Sequence, residues 1–419
     1  MTKNILFLLI CLITSLTINA QNTVIKAGHF FDARSGKMLD NQIIVIQDGK
    51  IKEVGTNPKF SKTDKIIDLS DSWVLPGLMD CHVHITSNTA HLQRSSITTN
   101  YVRESTSLRA IRGSVVAKQF LDNGFTTIKE IGNDGNYATA DIIKAINFGW
   151  IKGPTIIYAG KIIAPFGGQS SNINPENEGL WQFEYIDADT PDEIKKAVRQ
   201  NIYYGATVIK MVTGDNGTYN AEDIKAAVDE AQKYGMKVTV HVVAEGIAAN
   251  NAILGGAAAI EHGDNLSNEQ LQLMKNKGMF LVGTDFSYEN NFAYGVGEKV
   301  AREWTDLLVD RLKRAYKIGT PMAFGTDIII DLPGLNRVQS SLKVLETWKA
   351  AEIPASYILQ TMTIKAAELL GIDKERGILE PNYFADIIAV KNNPLDNIKS
   401  IKTVHFVMKE GEIIRNDKK

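Results

Sequence analysis

The stretch Trp73-Val74-Leu75-Pro76-Gly77-Leu78-Met79-Asp80-Cys81-His82-Val83-His84 decides the fold of this chain. It predicts a buried strand that ends in two histidines, with a break at Pro76 and Gly77. Because successive side chains of a strand point to opposite faces, His82 and His84 project together, roughly 7 Å apart along the strand. Two imidazoles on one face can chelate one metal ion. The pair alone is equally compatible with two core histidines, so ligands at the ends of other strands are needed to decide.

The first twenty residues predict a secretory signal peptide. Lys3 gives a short positive start, residues 5–18 are almost continuously apolar, and Ala20 offers a cleavage position before Gln21. The alternative is a membrane anchor, but the apolar run is shorter than the roughly 20 residues that span a bilayer. We therefore expect an exported protein, periplasmic or secreted, without a stable membrane anchor.

The composition limits the domain organisation and the classes of partner that the chain can have. The chain has 419 residues, of which 44% are hydrophobic, and 46 Lys and Arg balance 48 Asp and Glu. This length favours one large domain with a smaller one. The balanced charge, without a basic run, argues against nucleic acid as a partner. Once Cys11 leaves with the signal peptide, Cys81 is the only cysteine, so no intrachain disulfide is expected.

Both ends of the chain have short alternating strands. Asp48 and Gly49 separate two apolar runs, which is a hairpin signal, and a similar turn follows the strands near the C-terminus. We predict that residues 21–76 and 373–419 form one composite β-sandwich domain. Residues 77–372 then form a second, continuous domain between its two halves.

This middle segment alternates strands and helices about eight times, which predicts an α/β fold. Strand–helix repeats of this kind are typical of a (β/α)8 TIM-like barrel, whose active residues lie at the carboxyl ends of the strands. An open doubly wound sheet is the alternative, although no GxGxxG motif follows the first strand. After the opening stretch, the predicted strands are 126–131, 155–159, 207–212, 237–241, 258–262, 279–283 and 322–327.

Residues that bind metals recur at the ends of these strands. In a closed barrel such residues would converge over one mouth, so the set is a stronger signal than any one member. Asp327 alone would be read as a helix cap. The candidate ligands are His82 and His84 on the first strand, Lys210 on the fourth, His241 on the fifth, His262 on the sixth and Asp327 on the eighth.

Lys210 is unusual because it lies within an apolar strand, where an unpaired charge would be costly. Burial lowers the pKa of a lysine and favours the neutral amine. A neutral amine can add carbon dioxide, and the resulting carbamate is an anionic oxygen ligand that can bridge two metal ions.

With these residues in place, the sequence resembles the amidohydrolase superfamily, and within it the imidazolonepropionase-like group that includes prolidase-like and Xaa-Arg/Lys dipeptidase-like members. The resemblance covers nearly the whole chain after the signal peptide. Its carriers are residues 75–84, 124–132, 208–214, 260–263, 324–327 and 377–386.

The resemblance implies a binuclear metal centre. One divalent ion, usually zinc, would be held by His82, His84 and Asp327. The other would be held by His241 and His262, with Lys210 as the bridging carbamate. Metal-activated hydroxide would cleave an amide or peptide-type C–N bond, and Asp327 would carry the proton, with His262 as the second candidate for a catalytic role.

The substrate is less clear, because two loops depart from the group. Many members carry Gly-Gly-His-Gly where this chain has Gly-Gly-Gln-Ser at 167–170, and many carry a histidine soon after the last aspartate. A dipeptide or N-acyl amino acid has a carboxylate that needs a cationic partner. Arg94, Arg103 and Arg337 lie in or beside the expected mouth loops, although an arginine in such a position is more often a solvated surface residue.

Two other functions remain open. A cyclic-amide hydrolase or deaminase would use the same superfamily fold with one metal, but Lys210 argues against it. A metal-holding binding protein would not need Asp327. The sequence is compatible with a homo-oligomer.

Overall fold

The computed structural model describes residues 21–87, 102–132, 135–169, 173–214, 217–242 and 246–417. The predicted signal peptide at residues 1–20 lies outside these ranges, as do Arg94 and Ser170. All other candidate site residues fall within them.

Sixteen strands occur in the described part of the chain, most of them short and buried. They are β1 (Thr23–Asp32), β2 (Lys37–Gln47), β3 (Lys50–Gly55), β4 (Lys65–Pro76), β5 (Leu78–Val83), β6 (Phe125–Glu130), β7 (Thr155–Tyr158), β8 (Ile162–Ala164), β9 (Tyr185–Asp187), β10 (Ile209–Val212), β11 (Val238–Val242), β12 (Ala259–His262), β13 (Phe280–Val282), β14 (Ile387–Val390), β15 (Val404–Lys409) and β16 (Glu412–Asn416).

Helices separate most of the strands between β5 and β14. They are α1 (Thr106–Asp122), α2 (Ala138–Asn147), α3 (Pro191–Tyr203), α4 (Ala221–Gln232), α5 (Gly246–Gly255), α6 (Asn268–Lys277), α7 (Tyr288–Ala293), α8 (Glu298–Ile318), α9 (Arg337–Ser341), α10 (Leu345–Ala350), α11 (Ala355–Thr361) and α12 (Ile364–Leu370), with 3-10 turns at Pro175–Phe183, Leu342–Val344 and Ile398–Thr403. Within the described ranges, none of these helices combines the length and hydropathy needed to cross a bilayer.

Local sequence signals explain several element boundaries. Thr190 caps α3 by accepting a hydrogen bond from the Glu193 amide, and the Glu193 carboxylate accepts one from the Thr190 amide, which is a capping box. Asp48 and Gly49 have φ values of 51° and 78°, and they connect β2 to β3 as the predicted hairpin turn.

One seven-stranded sheet, in the order β16-β15-β14-β4-β1-β2-β3, combines strands from both ends of the chain. Trp73 to Pro76 of β4 pair with Ile387 to Val390 of β14 in antiparallel register. A cluster of buried apolar side chains, including Ile25, Ile44 and Phe406, packs in this region. The two ends therefore share a sheet, whereas the sandwich arrangement and the domain limits remain predictions.

Two parallel sheets hold the middle of the chain, one in the order β13-β12-β11-β10-β8-β9 and one in the order β5-β6-β7. The register places Val212 opposite His241, and Val242 opposite His262. Because neighbouring parallel strands end at one edge, the residues at their carboxyl ends lie side by side. This α/β arrangement confirms the predicted fold class at its coarser level.

The described strands do not form one continuous barrel sheet. Residues 322–324 take the place of the predicted eighth strand, but only a single bridge, between Leu281 and Met322, is formed there. Separate main-chain hydrogen bonds reach the first strand, from the Cys81 amide to the Phe324 carbonyl at 2.8 Å and from the Asp327 amide to the His82 carbonyl at 2.8 Å. These bonds bring Asp327 beside the end of β5. Closure of the barrel remains a prediction.

Candidate metal centre

The two histidines of the opening stretch meet at their ring tips. Every residue of β5 is buried, and His84 follows directly after the strand. The Nε2 atoms of His82 and His84 lie 3.2 Å apart, although period-2 spacing sets their backbones much further apart. The side chains therefore converge on one point above the strand end, as chelation of one ion requires.

Asp327 brings a carboxylate to the same point. Its Oδ1 atom lies 3.0 Å from Nε2 of His84 and 3.4 Å from Nε2 of His82. One ligand atom from each of these residues can be chosen so that all three lie within 4.8 Å of one another. Two imidazoles and a carboxylate are a donor set that suits zinc and related divalent ions. The residues present thus fit the metal ion that the sequence predicts.

His262 and His241 extend this cluster along the strand ends. The His262 ring lies 5.1 Å from the His82 ring and 4.3 Å from the His241 ring, between centroids. Nδ1 of His262 is 3.8 Å from Oδ2 of Asp327 and 2.7 Å from the Thr284 hydroxyl. With Nδ1 held by Thr284, Nε2 is the atom that His262 can offer to a ligand.

Lys210 lies close to this group and is buried in β10. Its positive charge lowers the pKa values of His82, His262 and Asp327, which places its ammonium among the predicted ligands. The structure therefore brings all six predicted metal-site residues near one another, with Lys210 two residues before the end of β10: His82, His84, Lys210, His241, His262 and Asp327. Their roles as ligands remain predictions.

The titration of the cluster favours metal binding. Burial lowers the pKa values of His82 and His262 well below the ordinary value, so both imidazoles are neutral, the form that coordinates metals. Burial acts the same way on His84, but its hydrogen bonds to Asp327 and Glu130 outweigh burial and raise its pKa. Burial alone would raise the pKa of Asp327, but the hydrogen bond and the positive charge of His84, together with the charge of Lys210, outweigh burial and lower it. In the metal-free chain, His84 and Asp327 therefore form an ion pair.

The backbone is strained around the centre. His262, Thr284 and Asp327 have φ values of 67°, 47° and 53°, a left-handed region that non-glycine residues seldom adopt. Such conformations cost energy and persist only where surrounding contacts impose them. Arg311 is one such contact, because its buried guanidinium donates to the carbonyls of His262 and Gly283.

Sequence reasoning left several supporting residues unassigned. Glu261 accepts hydrogen bonds from His82, Lys129 and Thr239, and Tyr294 donates to the Asp327 carbonyl at 3.2 Å. A signal for Lys129 and Glu261 was present, because each is a charged residue within an apolar strand. It is the same signal that singled out Lys210.

The arginines of the mouth loops have different surroundings. Arg337 is only 3% exposed and donates to Asp331 at 2.8 Å, to the His84 carbonyl at 3.4 Å and to the Ser87 carbonyl at 3.3 Å. It therefore braces the segment after His84, and the solvated surface position considered for it is wrong. Arg103 is exposed, and Arg94 lies outside the described residues.

Gln169, at the first loop departure, lies beside the centre. Its Nε2 atom is 3.1 Å from Nε2 of His241, and its Oε1 atom accepts a hydrogen bond from Tyr185 at 3.3 Å. Gly168 packs so closely on the Tyr185 ring that a Cβ there would lie 2.7 Å from a ring carbon. A neutral amide therefore occupies the position where many similar sequences have an imidazole.

The sequence profile of the amidohydrolase family matches residues 73–414. The chain belongs to the amidohydrolase family. The match spans the strand-end cluster, the end of β4 and the C-terminal strands of the composite sheet, so the predicted resemblance is confirmed. The protein is accordingly an enzyme, a hydrolase that acts on carbon–nitrogen bonds, in a superfamily that generally uses divalent metals.

Individual relatives support this placement. Ochratoxinase from Aspergillus niger is 29% identical over 96% of this chain and 89% of its own length. Imidazolonepropionase from Thermoanaerobacter pseudethanolicus is 21% identical over 88% of each chain. A solved structure of a Xaa-Pro dipeptidase with methionine bound in its active site superposes with a TM-score of 0.83 and 27% identity, and covers 94% of this chain and 100% of that one.

Proposed function

We propose that this amidohydrolase cleaves the amide or peptide-type C–N bond of a small substrate that carries a carboxylate, such as a dipeptide or an N-acyl amino acid. The observation that carries the proposal is the convergence of His82, His84 and Asp327 within 4.8 Å, with His262 and His241 beside them. The likeness to a protein named Xaa-Pro dipeptidase supports the choice of substrate class.

In this proposal two divalent zinc ions would occupy the centre. His82, His84 and Asp327 would hold one of them, His241 and His262 would hold the other, and Lys210 would join them as a carbamate. When bound, such ions polarise the scissile carbonyl and make water acidic enough to attack it near neutral pH.

Asp327 is the residue placed to move a proton. Its pKa is lowered, so the carboxylate is ionised, and its Oδ2 atom faces His262 while Oδ1 faces His82 and His84. It would accept a proton from the attacking water and deliver it to the leaving nitrogen. His262 would support this step by holding its ring beside Oδ2. The strained backbone of Asp327, fixed by the His82 carbonyl, keeps the carboxylate aimed at the reacting atoms.

The proposal also includes a closed barrel and export of the protein. Closure of the parallel strands into a barrel is supported by the hydrogen bonds that link residues 322–327 to β5 and β13. Export is supported by the apolar run at residues 5–18. N-terminal sequencing of the exported native protein should find Gln21 first, and a chain that begins at Met1 would contradict the proposed signal peptide.

A substrate screen tests the proposed activity. The purified protein, supplied with zinc and bicarbonate, is assayed against dipeptides, N-acyl amino acids, lactams and lactones, and bound metal is measured per chain. We expect about two metal ions and turnover of a linear amide that carries a carboxylate. Turnover restricted to lactams would instead favour the cyclic-amide function, and metal binding without any turnover would contradict the proposal.

A variant of Lys210 tests the bridging carbamate. Lys210→Ala should lose at least one metal ion per chain together with activity, and added acetate should restore part of both by entering the vacated space. Lys225→Ala is the matched control, because Lys225 is exposed and pairs only with Asp229 on α4 among its described contacts. Full metal content in Lys210→Ala would exclude the carbamate bridge.

A further inference from the structure

We propose that Glu261 and Lys129 are positioning residues of the metal centre, in which the Glu261 carboxylate fixes the His82 imidazole from behind and the Lys129 ammonium fixes Glu261. The inference rests on the proposed function, because it concerns how strongly the His82 half of the centre binds metal. Neither residue was among the predicted ligands.

The contacts form a continuous buried chain. Nδ1 of His82 lies 2.7 Å from Oε2 of Glu261, and Nζ of Lys129 lies 2.6 Å from Oε1. The Thr239 hydroxyl donates to the same Oε1 atom. All four side chains are at most 2% exposed, so these contacts are shielded from solvent. The three strands that carry Lys129, Thr239 and Glu261 are β6, β11 and β12.

The two oxygens of the Glu261 carboxylate have different partners, and this explains the effect of Glu261 on His82. Lys129 and Thr239 occupy Oε1, which leaves Oε2 to accept the Nδ1 proton of His82. A hydrogen bond at Nδ1 selects the tautomer whose lone pair is on Nε2. Nε2 is the His82 atom that faces His84 and Asp327. A carboxylate behind an imidazole also raises its basicity and fixes the ring orientation, both of which strengthen metal binding.

Lys129 is needed because Glu261 is buried. An unpaired carboxylate in this position would either take up a proton or turn toward the metal ions. The Lys129 ammonium, with its Nζ atom 2.6 Å from Oε1, supplies the opposite charge that a buried carboxylate requires.

His84 has weaker support behind its ring than His82. Its Nδ1 atom is 3.3 Å from the Gly132 carbonyl and 3.8 Å from Oε1 of Glu130, so both contacts are longer than the contact between His82 and Glu261. Of the two histidines in the opening stretch, His82 has the tighter support. Loss of the Glu261 contact should therefore lower metal affinity more than it lowers the stability of the fold.

Three variants test the inference: Glu261→Gln, Lys129→Met and the double variant that carries both. Metal is removed from each protein, cobalt(II) is added back, and affinity is measured by competition with a chelator while the visible absorption bands report ligand geometry. We expect each single variant to bind cobalt about 10- to 100-fold more weakly, the usual effect of losing a partner behind a ligand.

The double variant separates positioning from simple stability. Removing both charges leaves no buried unpaired ion, so the thermal stability of the metal-free double variant should recover relative to the single variants. Its cobalt affinity and spectrum should stay impaired, because His82 still lacks its carboxylate. Recovery of the cobalt affinity of the parent protein would overturn the inference and leave the pair a structural ion pair. If a single variant does not fold, the double variant alone decides.

Glu230→Gln is the matched control. Glu230 is also a buried glutamate in an ion pair, with Arg199 and Lys233, but it lies on α4 away from the strand ends. Its replacement should leave cobalt affinity unchanged. A parent protein that binds no cobalt would overturn the proposed function and the inference with it, whereas normal binding by both the parent and Glu261→Gln would overturn the inference alone.

Discussion

Two clusters of charged and polar side chains show how the same side-chain types serve different functions. Beside β14 and the turn that follows β15, the buried Arg376 lies between the carboxylates of Asp386, which is buried, and Glu410, which is exposed, and its guanidinium packs over the Phe384 ring at 4.3 Å. At the strand ends, two imidazoles and a carboxylate point their ligand atoms at one another. The first cluster neutralises its own charges, whereas the second presents a set of donors that suits a divalent cation. The clusters should therefore respond oppositely to substitution, one in stability and the other in metal binding and catalysis.

The largest expected effect is on catalysis. Asp327→Asn keeps the shape and one oxygen ligand but removes the proton acceptor, so kcat should fall by roughly 10²- to 10⁴-fold. It should retain more metal than Lys210→Ala, and its melting temperature should change little. Rates and metal content on the substrate found by the screen provide the measurement. Asp310→Asn, on the exposed side of α8, is the control. An Asp327→Asn enzyme with nearly normal kcat would place the proton carrier on another residue, His262 first.

The next effect belongs to the sheet cluster. Arg376→Met leaves the buried Asp386 carboxylate without its arginine, and the free energy of unfolding should fall by about 3 kcal/mol. Urea unfolding measures this change, while cobalt affinity should remain that of the parent. Arg34→Met is the comparison, because Arg34 pairs with Glu380 at the surface and such pairs contribute at most about 1 kcal/mol. A comparable loss of cobalt affinity in Arg376→Met would break the distinction between the clusters.

A smaller effect should follow from displacing the His84 ring at the metal centre. A Cβ at Gly132 would lie 2.4 Å from Cε1 of His84, so Gly132→Ala must displace that ring. We expect cobalt affinity to fall by about tenfold, since misplacing a reacting group by about 1 Å can cost up to 10²-fold. Gly297→Ala is the control, because nothing lies within 4 Å of a Cβ there. Unchanged affinity in Gly132→Ala would show that His84 can move without loss.

The smallest effect concerns pH. A hydrogen bond from Arg199 and one from Lys233 lower the pKa of Glu230 from its ordinary 4.5 to about 2. A carboxyl with a lowered pKa stabilises the fold above its unfolded pKa and loses this contribution as pH falls toward the folded one. The difference in unfolding free energy between the parent and Glu230→Gln should therefore be full at pH 7 and shrink between pH 4.5 and 2. Since both partners are exposed, it should not exceed about 1 kcal/mol. A difference that stays constant down to pH 3 would contradict this assignment.

Local patterns in the sequence were enough to place the candidate ligands. The two-residue period of a strand put His82 and His84 on one face, and the shared edge of parallel strands put His241 and His262 close together. Turn residues likewise predicted the hairpin at Asp48. These features depend on residues close together in the chain, so periodicity and turn chemistry reveal them.

The tertiary structure decided what surrounds those ligands. Glu261 and Lys129 are 132 residues apart, and no local pattern pairs them behind His82. The same holds for the buried position of Arg337, which donates to the His84 carbonyl, and for the left-handed backbone of Asp327, whose amide donates to the His82 carbonyl. Such contacts arise only when distant strands pack together. The local sequence of one segment does not show which other segment it will contact. The sequence by itself therefore determined which residues could hold metal, and the folded chain decided how firmly each one is held.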